Sequence, residues 1–369
     1  MKLMNATILT GGVAFCASAC LAPVVRSLAR RWELYDRPGE LKIHAGAIPR
    51  VGGVAIGLAF LAALLTRRHL VHTAMTGFMV GLTVVFLSGL VDDLRGLRPA
   101  ARLAVQAIAG GLLYYTGWQV ALSDLGMVNV ATTIALVLWF VNAFNFVDGS
   151  DGLAAGLAAV AALGFVFIFV RHNLPELAAI SAALFGSCAG FLFLNFPRAT
   201  IFMGDCGSTM LGLVLVSLTL AAARASPTPA LGLSSSLLFA AVPLADALFA
   251  IIRRLRRGQS PFSGDRRHFY DLLLRRGLSS KAVAIVSYLV GGISVAAGIL
   301  SAHLETGRIT LVLASCAILI LGTLLGSFKT DPRQPGPARQ ALVSRSWKLQ
   351  KISPRYRPYR HDGPSANNK

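Results

Sequence analysis

Apolar residues arrive along this chain in long unbroken blocks joined by short polar connections, not in the alternating or one-faced patterns of a soluble fold. A helix needs about 20 apolar residues to cross the hydrocarbon core of a bilayer. Eleven runs approach that length: 5–25, 51–66, 73–91, 100–118, 128–147, 152–170, 177–196, 206–223, 231–252, 281–301 and 308–328. The second is the shortest, and within it Gly53 and Gly57 have the small-xxx-small spacing of close helix packing. No soluble domain interrupts the runs and no clear internal repeat stands out. The pattern predicts an all-α polytopic membrane protein of about eleven transmembrane helices. Its membrane domain covers 1–328, and a tail covers 329–369.

Composition agrees: 55% of residues are hydrophobic and the mean hydropathy is +0.64, far from soluble usage. The formal net charge is +19. On a soluble protein that excess would point to nucleic acid, but here it reports topology. Connections 26–50, 92–102, 197–205, 253–281 and 329–369 lie on one side of the eleven runs and hold 29 of the 35 Lys and Arg. The positive-inside rule makes that side cytoplasmic, with the N-terminus outside and the C-terminus inside. No nucleic-acid partner is expected. Ala17-Ser18-Ala19 has the form of a signal-peptidase site, but the apolar run continues to Val25 and ends in Arg26, Arg30 and Arg31, so a span is expected there. Cysteines 16, 20, 188, 206 and 316 show no metal or redox spacing. The tail, with its prolines and ten basic residues, is expected to be disordered and to serve either lipid attraction or topology.

With that topology the acids gather on one face. Asp92 and Asp93 end the third run; adjacent carboxylates repel unless a cation relieves them. They suit Mg²⁺-assisted phosphate chemistry or general base work, or else a helix-end cluster with Arg95 and Arg98. Between two apolar runs lies Asn142-Ala-Phe-Asn145-Phe-Val-Asp148-Gly149-Ser-Asp151-Gly152. Asn142 and Asn145 are one helical turn apart, and the glycines allow turns that bring Asp148 and Asp151 back to that face. Such amides and carboxylates can read a sugar or base edge, or hold a metal's water shell. Asp205, between glycines at the start of the eighth run, is either functional or a helix N-cap. Asp246 lies inside the ninth run, where it needs a partner or a cavity. Arginines 253, 254, 256, 257, 266 and 267 around Asp265 and His268 suit a polyphosphate, or in part act as topology determinants.

Five ordered motifs over roughly residues 30–280 resemble the polyprenyl-phosphate N-acetylhexosamine-1-phosphate transferases of glycosyltransferase family 4. They are Asp36-Arg-Pro…Lys42-x-His44…Pro49-Arg-Val-Gly-Gly53; Asp92-Asp93…Pro99-x-x-Arg102…Gln106; Asn142-x-x-Asn145-x-x-Asp148-Gly-x-Asp151-Gly; Phe202-Met-Gly-Asp205-x-Gly-Ser208; and Asp265-Arg-Arg-His268. The resemblance implies transfer of a sugar 1-phosphate from a UDP-N-acetylhexosamine to a polyprenyl phosphate, with release of UMP. It implies Mg²⁺ (or Mn²⁺) at Asp205, and Asp92 and Asp93 serving the attacking lipid phosphate. Asp151, Asn195 and Phe202 would hold uridine, Asn145 and Asp148 would face the donor's phosphates and sugar, and His268 would assist at the pyrophosphate. Lys42, Asn142, Asp265, Arg266 and Arg267 complete the expected substrate-binding set. Direct attack, with Asp92 as base or orienter, is favoured over an aspartyl-phosphate intermediate. The resemblance further implies a bacterial inner-membrane, multi-pass enzyme, with a homodimer as a family expectation.

One departure bears on the substrate. Much of the family has further histidines after the one matching His268, where this chain has Tyr270 and Asp271. That argues against the muramoyl-pentapeptide branch, and the eleventh run and tail look more like the branch that uses UDP-N-acetylglucosamine. The same reaction with UDP-MurNAc-pentapeptide or another UDP-sugar is the alternative. From a different class, a transporter would spread ionisable groups through the membrane depth, whereas these collect at one rim.

Overall fold

The computed structural model describes residues 2–36, 47–67, 73–260 and 267–303. Each of the first ten apolar runs falls on helix. The helices are α1 (Lys2–Arg31), α2 (Gly53–Leu65), α3 (Thr73–Arg95), α4 (Pro99–Tyr115), α5 (Gly126–Val147), α6 (Leu153–Arg171), α7 (Pro175–Asn195), α8 (Gly204–Ala225), α9 (Pro229–Leu237), α10 (Ala241–Arg256), α11 (Phe269–Arg275) and α12 (Ser280–His303). Among the described residues, eight helical stretches are long and apolar enough to cross a membrane, α9 and α10 counting as one. The eleventh run, the expected domain boundary at 328 and the tail lie outside the described residues.

Two departures from the run pattern have local causes. The ninth run is broken by a 3₁₀ turn over Leu238–Ala240. Pro243, in the first turn of α10, has no N–H to return to the preceding turn and its ring crowds the carbonyl there, so a straight helix cannot pass. At seven residues, α11 is too short to leave a hydrophobic period. A two-stranded antiparallel ladder also forms, β1 (Tyr35–Asp36) against β2 (Ile48–Pro49), pairing Tyr35 with Pro49 and Asp36 with Ile48.

The centre of the bundle is α8, of which only Asp205, Ala221, Arg224 and Ala225 are not buried. It packs against α3 and α5, while α1 and α6 flank α7, and α12 closes on α6 and α9. In lipid, apolar side chains gain little by burial between helices, so small residues that let backbones approach do much of the packing. A Cβ on Gly186 would meet the backbone of Gly11 in α1, and one on Gly212 would meet Val141 in α5. Gly53 and Gly57 follow the same logic, facing Gly207 of α8 and Phe86 of α3. Large apolar residues such as Ile8, Leu87, Ile108, Phe193 and Ile293 are left outward, as a lipid-facing surface requires.

Candidate active site

The C-termini of α3, α5, α7 and α10 and the N-termini of α4, α6 and α8 meet at one end of the bundle. Segment 47–53 is stitched to the entry of α8 there. Phe202 N–H donates to Pro49 O (2.8 Å), Gly52 N–H to Phe202 O (2.8 Å) and Gly53 N–H to Met203 O (2.7 Å). This stitching carries Arg50 across the rim. Its Nε donates to Asp93 Oδ1 at 2.8 Å, its Nη2 to Asp205 Oδ2 at 3.0 Å, and Asp36 lies 3.8 Å away. Burial opposes its charge, but Asp205, Asp93 and Asp36 hold the guanidinium above its ordinary pKa.

The two adjacent acids have separate tasks. The Asp93 carboxylate is sealed from solvent and accepts from the N–H groups of Asp205 (2.8 Å) and Cys206 (2.9 Å). It therefore caps α8 from another helix, satisfying two orphan donors and complementing the helix dipole. Gly204 makes this possible: its φ of +79° suits glycine, and a Cβ there would sit 2.6 Å from Asp93 Oδ2. Asp92 accepts from Leu97 N–H (2.6 Å) and from Arg102 Nη1 (2.9 Å). The partners of the pair are thus Arg102 and Arg50, from the next helix and from across the rim.

Asp205 is not an N-cap; it lies in the first turn of α8. Its Oδ1 accepts from the Asn145 amide at 2.7 Å, and Arg102 stands 3.8 Å from its Oδ2. Asn145 also donates to Ser208 Oγ (3.1 Å), while Asn142, a turn earlier on α5, donates to Gln106 Oε1 (2.7 Å). Asp148 follows directly after α5 and is half-buried by area. Desolvation, joined by the negative field of Asp205 and Asp93, pushes its carboxyl well above the ordinary range, against the pull of Arg50 and of the Gly204 backbone.

A second group joins the start of α6 to the end of α7. Gly152, with φ +73°, turns the chain into α6. Its N–H donates to Asn195 Oδ1 (3.0 Å), while the Asn195 amide donates to Ile201 O (2.9 Å). Asp151 Oδ2 accepts from Ala199 N–H at 3.2 Å. Asp151 thus turns toward 197–200, not toward the face carrying Asp148. Phe202 is partly exposed beside this group.

The third group is built on Asp246, which finds its partner in His268. Nδ1 of His268 lies 2.6 Å from Asp246 Oδ2, and Phe269 N–H donates to Asp246 Oδ1 at 2.9 Å. The imidazole stacks on Tyr270 with ring centroids 5.7 Å apart and faces Phe146 at 5.4 Å. Tyr270 Oη donates to Phe146 O (3.3 Å), so Tyr270 ties α11 to the end of α5. Arg267 is half-buried just ahead of His268. Lys42, His44, Asp265 and Arg266 lie outside the described residues.

The structure therefore brings Asp92, Asp93, Asn145, Asp148 and Asp205 into one cluster, with Asn142 at its edge. Asp151 with Asn195, and His268, occupy neighbouring groups. Roles that had gone unassigned belong to Arg50, Arg102, Gln106, Ser208 and Asp246. Asp246 alone carried a signal of its own, an acid inside an apolar run.

Comparison with known proteins identifies the relatives of the chain. The sequence profile of glycosyl transferase family 4 matches residues 75–223. The decaprenyl-phosphate N-acetylglucosaminephosphotransferase of Mycobacterium leprae is 38% identical, over 81% of this chain and 84% of that protein. The probable undecaprenyl-phosphate N-acetylglucosaminyl 1-phosphate transferase of Bacillus subtilis is 30% identical, over 73% of this chain and 78% of its own length. The undecaprenyl-phosphate alpha-N-acetylglucosaminyl 1-phosphate transferase of Escherichia coli K12 is also 30% identical, covering 80% and 85%.

Proposed function

Because the chain belongs to glycosyl transferase family 4 and is a phosphoglycosyl transferase of its polyprenyl-phosphate N-acetylhexosamine-1-phosphate branch, we propose that it moves N-acetylglucosamine 1-phosphate from UDP-N-acetylglucosamine to a polyprenyl phosphate, releasing UMP. The observation that carries this reading is the cluster around Asp205, where carboxylates, an amide and two guanidiniums meet at one end of a membrane bundle. The working rim would face the cytoplasm, where nucleotide sugars are made, with the N-terminus outside and eleven spans in a bacterial inner membrane.

The charge balance fits a divalent cation. Four carboxylates (Asp92, Asp93, Asp148 and Asp205) lie around two guanidiniums (Arg50 and Arg102) among the described residues. Among the same residues no three ligands converge as a ready-made cage. That suits Mg²⁺, which is usually held by one or two carboxylates together with substrate phosphates and water. Asp205 would hold it, since Asp93 is consumed by the α8 cap. Bound there, the ion would neutralise charge on the donor's pyrophosphate.

The residues divide the remaining work. Asp92, fixed by Arg102 and the Leu97 N–H, would orient the acceptor phosphate for direct attack on the sugar-linked phosphorus. One P–O bond to the lipid phosphate forms as the bond to UMP breaks, and the electron pair leaves on the UMP phosphate. Arg50 and Arg102 would stabilise charge on the equatorial oxygens. Asn145 and Asp148 would meet the sugar and its phosphate, and Asp151 and Phe202 the uridine, with Asn195 bracing the wall behind them.

A single assay tests this. Purified protein with Mg²⁺, polyprenyl phosphate and labelled UDP-N-acetylglucosamine is expected to yield UMP and lipid-extractable label. Transfer only from UDP-MurNAc-pentapeptide would reassign the donor. No transfer from any UDP-N-acetylhexosamine would overturn the reaction.

A further inference from the structure

The Asp246–His268 pair is absent from the division of labour above, although both side chains are almost fully buried, with 3% and 7% exposure. We propose that Asp246 is a positioning residue for the transfer: it keeps the hydrogen of the His268 ring on Nδ1 and holds the ring against the end of α5, next to the residue that contacts Asp205. This rests on the reading of the reaction given above.

An acid buried in an apolar helix is costly and persists where it has a defined partner. Asp246 has two, on consecutive residues of one segment. Its Oδ2 lies 2.6 Å from His268 Nδ1, and its Oδ1 accepts from the Phe269 backbone N–H at 2.9 Å. One carboxylate thus fixes both the backbone and the ring of the entry to α11. A carboxylate accepts and does not donate, so at this distance the ring must carry its hydrogen on Nδ1. Carboxylates behind histidines set tautomer and orientation in this way in hydrolytic and metal sites.

The other contacts remove the remaining freedom of the ring. It is stacked on Tyr270 at an interplanar angle of 5° and flanked by Phe146. Tyr270 Oη donates to Phe146 O, and a Cβ on Gly149 would lie 2.0 Å from that hydroxyl. Phe146 is adjacent to Asn145, which holds Asp205. The break before α10 also contributes, since Pro243 and the 3₁₀ turn at 238–240 set the direction of the helix that carries Asp246. Tyr270 here serves as a side wall for the imidazole.

Histidine-selective ¹⁵N NMR of the full-length protein in detergent tests the assignment without relying on activity. The His268 signal, identified by its loss in His268→Gln, is expected to show hydrogen on Nδ1; a bare Nδ1 in the wild type overturns the proposal. In Asp246→Asn the hydrogen is expected to redistribute toward Nε2. Kinetically, that variant is expected to lose at least roughly 10-fold in kcat, with KM for the polyprenyl phosphate unchanged. In a His268→Gln background the same substitution should cost little more, because the two residues act as a unit. Full additivity, or a loss confined to KM for the lipid, would reduce Asp246 to a scaffold role. If the wild type transfers nothing while the Nδ1 signal is present, the reaction fails and the tautomer assignment stands.

Discussion

At the scale of single residues, the proposed reaction separates groups of the rim that hold the structure from groups that would hold substrate. On that reading Asp148 is the clearest case of a group that would serve function at a cost to stability. Its folded-state carboxyl titrates above the ordinary value, so between those two values the folded protein binds the extra proton. Stability therefore falls as pH rises through that window and stays low above it, where the acid is ionised. Asp148→Asn removes the titration while keeping the shape. Metal-free protein carrying it is expected to melt about a few degrees higher than wild type at neutral pH, the gap closing as pH falls through the window. Its transfer rate should drop by roughly 100-fold or more. A melting curve series against pH, alongside the transfer assay, checks both; a lower melting temperature at neutral pH would contradict the assignment.

At the scale of elements, α8 depends on its cap. Asp93 satisfies two N–H groups at its start and is itself held by Arg50. Asp93→Ala leaves those donors unpaired and the guanidinium partly uncompensated, an expected loss of about 2–4 kcal/mol. Asp205→Asn keeps the cap and should unfold close to wild type while losing activity. Chemical unfolding of the two variants side by side is the check; equal destabilisation would refute the division. Much of this layer could be read from residues alone. The apolar runs mark α1 to α8 because a bilayer demands continuous hydrophobic length. The acids stood out because carboxylates at an apolar boundary are expensive. What could not be read was pairing. Arg50 and Asp205 are far apart in sequence and meet only through the stitching of 47–53 to 202–203. Asp92 and Asp93 look equivalent in sequence, yet a helical rotation between neighbours sends one to Arg102 and the other to the α8 entry. The break before α10 had a legible cause in Pro243, but its consequence, the aim of Asp246, depends on where α11 lies.

At the scale of the whole molecule, the bundle is a lipid-facing shell around one buried helix, with its chemistry collected at one end. The arginine bridge at that end shows how this can be stable. Arg50 reaches three carboxylates at once and Arg102 two. The acids are thus partly neutralised by ions that the chain itself supplies. On the proposed reaction, a cation entering with the donor would exchange with these internal counter-ions and would not create the fold, unlike the metal of a small zinc domain, whose binding energy is folding energy. Chelation should therefore silence transfer and leave thermal unfolding nearly where it was, within about a degree or two. In an Arg50→Ala variant, whose acids have lost that compensation, the melting temperature should become sensitive to Mg²⁺. The protein would in that sense be an ion exchanger, folded in one ionic form and active in the other.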